Sequence, residues 1–483
     1  MGIVTLEWIK TPEDHVIVVL GATGDLARKK LLPALFHLDF EDLMPKHYLI
    51  IGTSKQELTD EEFRDFTRKA VDEFCKCNST EGHWEEFSSR LSYVPGEFGP
   101  NDYRPLSDAI RKAEAEIGGD PPRRLFYLAV PPPAFGPITE GIGAAGLEER
   151  ARVIYEKPFG LDMKSFQQLN ATVQDVLDED QVYRIDHFLG KETVQNILAF
   201  RFANGMFEPI WNRDHIDHVQ IDVPEDIGIG GRGGFYEKTG AFRDMIVTHL
   251  FQVLSFIALE PPYSLEEQPL LDEKSKVFES MLPLKKEDLV FGQYEGYRDE
   301  KGVAKDSQTE TFAAAKVTID NWRWSGIPFY LRTGKRMTER RWAVTLAFRE
   351  PPKQMFREVE VRGPGRTHLT MEMGPNEGIA VSFLAKVPGP SIEIAPARME
   401  FRYAGSFGSE LIEAYERLIH DALVGDRTLF TRCDGIERVW ELVDKVIEDP
   451  PPIHPYPQGT WGPKAAEELI APLRWHLPEE PSP

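Results

Sequence analysis

The chain has 483 residues, 41% hydrophobic and 11% aromatic, with 56 Lys and Arg against 79 Asp and Glu; this suits two to four domains with sizeable cores. The formal charge of −23 argues against nucleic acid or an anionic membrane as partner, and any anionic ligand needs a local cluster of cations to hold it. No apolar run is expected to cross a bilayer, and the first residues lack the basic-then-apolar profile of a secretory signal, so a cytoplasmic protein is expected.

His15 to Leu20 is short, continuous and β-branched, and reads as a buried strand. Gly21-x-x-Gly24-x-x-Ala27 follows, and Leu31, Leu32, Leu35 and Leu38 then fall at helical spacing, so a helix begins near Gly24. A glycine turn between a strand and a helix can hold a pyrophosphate. Gly21 permits the bend, Gly24 admits the ligand to the backbone, the helix N-terminus offers free N–H groups, and Ala27 lets the helix lie close to the sheet. A tight turn without ligand is the alternative. Tyr48 to Gly52 is a second strand, followed by Thr53-Ser54-Lys55 with no acid before Glu57. Hydroxyls and a cation there favour the 2′-phosphate of NADP, and Thr23 adds a further hydroxyl; lysine lacks the fork of arginine, so some NAD use is expected. Thr59 with Glu62 forms a capping box opening another helix.

Cys75, Cys77 and Cys433 make no disulfide framework and are read as reduced thiols; no metal site is indicated. Strands at Leu125–Val130 and Arg152–Tyr155 complete the pattern of strands alternating with helices, the mark of a doubly wound parallel sheet, placed at 12–185. Lys157 ends the last of these at the edge where such sheets bind ligands, with Pro158 holding it extended. It is either a rim lysine or one that reaches a sugar hydroxyl and the nicotinamide.

Arg184-Ile-Asp186-His187-Phe-Leu-Gly-Lys191-Glu192 concentrates charge between a strand and a helix. If Gly190 lies near a helix start, His187 and Lys191 share a face at i, i+4 and can clamp a phosphate, while Asp186 orients a remote imidazole; the alternative is a structural Asp–His contact with a solvated lysine. From residue 186 to 483 the pattern changes. Helices are expected at about 191–205 and 236–258, then closely spaced strands at Phe312–Ile319, Phe329–Leu331, Ala343–Phe348, His368–Met373 and Ile379–Ala385, then helices near 409–422 and 435–447, with a proline-rich tail from Pro450 that wraps or hangs loose. This is an α+β domain with a mainly antiparallel sheet.

Gly228-Ile-Gly230-Gly-Arg-Gly233 fits the dinucleotide glycine string literally but lies outside any strand–helix–strand unit, and is read as a loop near the substrate. His249 falls on the apolar face of Phe242, Met245, Ile246, Leu250, Val253 and Leu254, either as a satisfied core histidine or as a general base poised near neutral pH; Asp244, on the same helix, is placed to meet a hydroxyl. Arg332, Lys335, Arg336, Arg340 and Arg341 form a cationic group that either solvates a hairpin end or closes over a phosphate or sugar.

Six blocks carry a resemblance: GATGDLARKKLLPAL at 21–35, LFYLAVPP at 125–132, YEKPFG at 155–160, RIDHFLGKE at 184–192, GGRGGFYEKTGAFRDMIVTHL at 230–250 and PFYLRTGKRMTER at 328–340. In this order and spacing they resemble the glucose-6-phosphate dehydrogenase family over nearly the whole chain. The resemblance implies that Gly21, Thr23, Gly24, Asp25 and Leu26 hold the dinucleotide, with Lys55 near the 2′-phosphate and Lys157 touching both sugar and cofactor. It implies that His187 and Lys191 grip the 6-phosphate, that Glu225 and Asp244 bind sugar hydroxyls, and that Lys335 and Arg340 complete the substrate pocket. His249 is then the base, oriented by Asp186. The implied reaction is oxidation of glucose 6-phosphate at C1 to the lactone with hydride transfer to NADP, the first step of the oxidative pentose phosphate pathway, in a homodimer or homotetramer. Two departures stand out: Phe188 replaces a frequent tyrosine, and Lys55 a frequent arginine. The rival readings are a dehydrogenase of another hexose phosphate or free hexose, and a catalytically silent NADP-binding regulator.

Overall fold

Every residue of β1 (His15–Leu20) is buried, as the aliphatic run Val16–Leu20 covered on both faces requires. The structure is a computed structural model that describes residues 10–75, 77, 81–353, 355–356, 367–390, 392, 394–406 and 413–476. β1 pairs in parallel with β2 (Tyr48–Ser54) and with β4 (Arg123–Leu128). β3 (Leu91–Pro95), β5 (Ala151–Tyr155) and β6 (Val182–Arg184) extend the sheet to six parallel strands in the order β3-β2-β1-β4-β5-β6. This is the doubly wound order of dinucleotide-binding folds, with the chain reversing direction beside β1. Thr59 forms the expected capping box on the helix Asp60–Phe74.

The chain divides into two compact units: Met1–Gly190 with Leu265–Leu271 and Ile412–Ile436, and Lys191–Ser264 with Asp272–Leu411 and Glu437–Pro483. The division thus differs from one cut at 185, because two distant segments pack with the first unit. Arg152 donates to the carbonyls of Ala422 and Leu423 at 2.8 and 2.6 Å, and Lys30 pairs with Glu413 at 2.9 Å. Cys75 and Cys77 are joined by a disulfide, contrary to the reading as thiols. The backbone is extended at Cys75 where the helix Asp60–Phe74 ends, which turns side chains two residues apart toward one side.

The second unit is built on a nine-stranded sheet. Its strands are β7 (Ile216–Pro224), β8 (Leu289–Tyr294), β9 (Phe312–Thr318), β10 (Pro328–Gly334), β11 (Trp342–Phe348), β12 (His368–Gly374), β13 (Gly378–Lys386), β14 (Ile394–Arg402) and β15 (Ile453–Tyr456). Their order is β14-β13-β12-β11-β7-β10-β9-β8-β15. Most pairs are antiparallel, as expected, but β7 with β10 and β8 with β15 are parallel. The tail from Pro450 therefore supplies a strand. The helix expected near 409 begins outside the described residues, and its described part is Ala414–Val424.

The stretch Gly233–Ala258 is, contrary to expectation, long and apolar enough to span a membrane by length and composition; 83% of its most apolar window is buried inside the molecule. Gly240 interrupts it, at φ 61° and ψ 177°. It is a core helix of the second unit, packed on β9 and β10.

Candidate active site

In the first unit the glycine turn is held by its own backbone. The N–H groups of Gly21 and Ala22 both donate to the Thr53 carbonyl, at 2.8 and 3.1 Å, and Gly24 N–H donates to the Gly21 carbonyl at 2.9 Å. Gly21 has φ +84°, and a Cβ there would lie 2.3 Å from the Ala129 carbonyl oxygen, so only glycine fits. Helical structure begins at Asp25 and Leu26, leaving their N–H ends at the turn. Gly21, Thr23, Gly24, Ser54 and Lys55 line a cavity of about 620 Å³ at the C-terminal ends of β1, β2 and β4. A volume in this range is that of a small-molecule site, and its place in the sheet is where dinucleotides bind. The cradle therefore fits a dinucleotide phosphate against bare backbone.

Thr23 Oγ1 and Ser54 Oγ are 2.8 Å apart, and Ser54 Oγ is 2.8 Å from the Tyr93 hydroxyl. Lys55 pairs with Glu97, both largely exposed. Tyr93 and Glu97 carry no signal in the sequence that marks them as members of the site. Asp25 is exposed and pairs with Lys29 at 3.2 Å; neither it, Leu26 nor Lys157 lines the cavity. Beside Lys157, the Glu156 carboxylate accepts the Tyr127 hydroxyl at 2.6 Å, and burial pushes its pKa up.

Asp186 is 2% exposed. Its Oδ1 accepts Phe188 N–H at 2.9 Å and its carbonyl accepts Leu189 N–H at 3.0 Å, which fixes a turn over 187–190. The helix starts only at Glu192, with Lys191 extended at its N-cap, so the expected helical face shared by His187 and Lys191 does not form. His187 lies over Phe188 and is stacked on Tyr415, 6.4 Å between centroids at 7°.

In the second unit, parallel pairing sets Gly334 of β10 opposite Pro224 of β7, which leaves the next residues, Lys335 and Glu225, side by side. They form an ion pair in which Lys335 is buried and Glu225 half-buried. Lys335 N–H donates to the Thr311 carbonyl and Glu225 N–H to the Gly334 carbonyl, each at 2.9 Å. Lys335 Nζ is 5.9 Å from the ring of Tyr236, a buried residue that sequence reasoning missed. Burial, then the Asp244 carboxylate, drives the Tyr236 hydroxyl well above its ordinary pKa.

Asp244 and His249 lie in Phe242–Leu250, which is wound as a π-helix. Five residues apart on an α-helix fall about 140° apart around the axis; π winding, with hydrogen bonds from i to i+5, brings them toward one face. Thr248 Oγ1 donates to the Arg243 carbonyl at 2.8 Å over the same interval. His249 is 0% exposed.

The cationic group separates. Arg332 is buried against Asp222, and Arg341 meets Glu372 at 3.3 Å, so both are structural. Arg340 is exposed, its guanidinium 4.9 Å from the centre of the Trp342 ring, and Lys191 Nζ lies 3.2 Å from the same ring. Gly228 packs against Arg336, and Gly233 begins the helix Gly233–Ala241, so the second glycine string makes a turn within the second unit.

Residues 18–196 match the family model for the glucose-6-phosphate dehydrogenase NAD binding domain, and residues 198–476 the model for the glucose-6-phosphate dehydrogenase C-terminal domain. The chain is 41% identical to a glucose-6-phosphate 1-dehydrogenase of Chlamydia pneumoniae over 482 residues, 94% of each chain. It is 40% identical to glucose-6-phosphate 1-dehydrogenase 2 of Mycobacterium tuberculosis strain H37Rv over 479 residues, covering 94% of this chain and 92% of that protein. The crystal structure of glucose-6-phosphate 1-dehydrogenase from Mycobacterium avium matches with a TM-score of 0.87 at 38% identity, covering 98% of this chain and 100% of that one. A glucose-6-phosphate dehydrogenase in complex with glucose 6-phosphate matches with a TM-score of 0.89 at 34% identity, covering 97% of this chain and 99% of that one.

Proposed function

The chain belongs to the glucose-6-phosphate dehydrogenase family, and from that premise we infer that it oxidises glucose 6-phosphate at C1 to the 6-phospho-lactone, with a nicotinamide dinucleotide as electron acceptor. The observation that carries this is the match to both family models in sequence, spanning residues 18–196 and 198–476. Among the rival readings, a silent binding protein is disfavoured because Lys157, Asp186 and His249 are all retained.

When bound, the oxidised nicotinamide supplies the hydride acceptor. Gly21, Thr23 and Gly24, with Asp25 and Leu26 at the helix start, are the residues proposed to hold the dinucleotide. His249 takes the proton of the C1 hydroxyl as general base, and Asp186 is its orienting carboxylate. Burial supports this assignment, because a fully buried imidazole is shielded from bulk water and held in one orientation. Glu225 and Asp244 accept from sugar hydroxyls, and the ion pair with Lys335 holds the Glu225 carboxylate in place. His187, Lys191 and Arg340 bind the 6-phosphate, and Lys157 meets both sugar and dinucleotide.

NADP is the proposed dinucleotide, used in preference to NAD. Lys55 with the hydroxyls of Thr23 and Ser54 supports it, and no carboxylate stands at the end of β2, where an NAD site carries one. A cytoplasmic homodimer or homotetramer is proposed from the family resemblance.

The test is absorbance of reduced nicotinamide with glucose 6-phosphate, with glucose, and with each dinucleotide in turn. His249→Asn is expected to lower kcat by roughly two to four orders of magnitude, with glucose 6-phosphate still bound in calorimetry. Turnover that barely changes removes His249 as the base; turnover on glucose equal to that on its phosphate removes the substrate assignment.

A further inference from the structure

The helix bearing Asp244 and His249 does not continue the helix before it. Gly240, at φ +61°, breaks the path, and the chain restarts at Ala241. A helix that restarts leaves its first N–H groups in need of acceptors. Here both come from one distant residue just before β9. The Glu310 carbonyl accepts Ala241 N–H at 2.9 Å, and Glu310 Oε1 accepts Phe242 N–H at 2.9 Å. Glu310 is 7% exposed. The fit around its carboxylate is tight, since a Cβ on Gly240 would lie 2.2 Å from Oε1. The next residue, Thr311, gives its carbonyl to Lys335 N–H at 2.9 Å.

We propose that Glu310 is a positioning residue for the reaction: its buried carboxylate sets where the π-wound helix begins, and hence where Asp244 and His249 stand relative to the Glu225–Lys335 pair. A carboxylate at a helix start is favoured by the helix dipole and by free N–H groups. In this site it also replaces a local cap, because no side chain of the helix itself caps Phe242–Leu250. Burial raises the Glu310 carboxyl to about 7, with the Phe242 and Glu310 backbone N–H groups and then Arg243 acting in the opposite sense. Either protonation state keeps an oxygen that can accept from Phe242, so the positioning depends on the acceptor and its reach rather than on the charge. The register of two catalytic groups on a π-helix is sensitive to where the winding starts, whereas the first unit's dinucleotide cradle has its own backbone support.

The inference rests on His249 and Asp244 having the roles proposed above. Steady-state kinetics on purified Glu310→Ala, Glu310→Gln, Gly240→Ala and His249→Asn, each shown folded at assay temperature by circular dichroism, tests it. Glu310→Ala is expected to lower kcat/KM for glucose 6-phosphate about 10- to 100-fold, the size of effect that misplacement near 1 Å produces, with KM for the dinucleotide within about two-fold. Gly240→Ala should give the same signature, because its methyl displaces the carboxylate. Glu310→Gln should recover to within about three-fold of the parent, since it retains the acceptor. If Glu310→Ala fails to fold, Glu310→Asp, one methylene too short to reach Phe242, takes its place. Folded Glu310→Ala with kcat/KM near the parent's, Glu310→Gln as impaired as Glu310→Ala, or dinucleotide KM rising in step would each overturn the proposal. A fully active His249→Asn would instead overturn the reading on which it rests.

Discussion

Lys191 and Arg340 both lie over the indole of Trp342, Nζ at 3.2 Å and the guanidinium carbon at 4.9 Å from the ring centre. The ring's negative face gathers two cations that would otherwise repel, and a pair of cations is what a phosphate dianion needs. Each such contact is worth about 0.5–2 kcal/mol depending on its exposure. Trp342→Ala should therefore raise KM for glucose 6-phosphate about 3- to 30-fold with little change in kcat and none in KM for glucose; an unchanged phosphate-ester KM would remove the indole from this role. In the first unit, Glu97 shares Lys55 with whatever the lysine binds. Removing that acid in Glu97→Gln should raise kcat/KM for NADP over NAD by up to about five-fold at low salt, the scale of an exposed ion pair, and less at high salt. A selectivity that does not move would place the 2′-phosphate elsewhere. Much at this scale was legible: Gly21 and Gly24 announce their turn by sitting between strand and helix. Trp342 and Glu97 were not, because their importance comes from neighbours that the fold supplies, not from any pattern around them.

Elements differ in how openly their sequences declare them. β1 is read directly from the five aliphatic residues Val16–Leu20, which need cover on both faces, and the Thr59 capping box forms as its residues dictate. β7 is buried at every position but Asp217, yet its sequence Ile-Asp-His-Val-Gln-Ile-Asp-Val-Pro interleaves charge with hydrophobes. Those polar positions are used: Asp222 pairs with Arg332, and Gln220 donates to the Arg474 carbonyl at 2.9 Å, so the strand hides polar groups whose partners the fold supplies. The apolar stripe around His249 predicted a helix correctly but not its winding. Period counting cannot separate π from α over nine residues, and the cause of the break is Gly240 held against Glu310, a contact across 70 residues of sequence. The helical face expected to carry both His187 and Lys191 does not form for a related reason: Asp186 caps its own turn and postpones the helix to Glu192.

At the scale of the molecule, two electrostatic effects pull stability in opposite directions on acidification. A chain of net charge −23 loses self-repulsion as carboxylates and histidines take up protons, which by itself would stabilise the fold from pH 7 toward 5. Buried histidines act against this. Burial lowers His15 to about 4 and His368 to about 4, and lowers His476 to about 2, with the His368 ring 4.3 Å away and Arg341 and Arg398 nearby. A histidine depressed below its ordinary 6.5 binds fewer protons folded than unfolded, so stability is lost as pH falls from about 6.5 toward the folded value. Glu310, raised from 4.5 to about 7, has the opposite sign: it binds a proton folded that the unfolded chain releases, so its contribution is full below about 4.5 and is lost as pH rises through 7. Burial raises the Glu156 and Glu377 carboxyls in the same sense as Glu310, and the expectation is that the three imidazoles, whose ordinary value of 6.5 lies inside this window, outweigh them. The surface charges are spread and screened beyond about 8–10 Å at ordinary salt, whereas the buried imidazoles are not. The urea midpoint should therefore fall between pH 7 and pH 5. His368→Gln should make that fall shallower by removing one buried imidazole and relieving His476, and Glu310→Gln should make it steeper by removing the group that opposes it. A midpoint that rises on acidification, or the same slope in all three proteins, would mean that these groups titrate as they do in the unfolded chain.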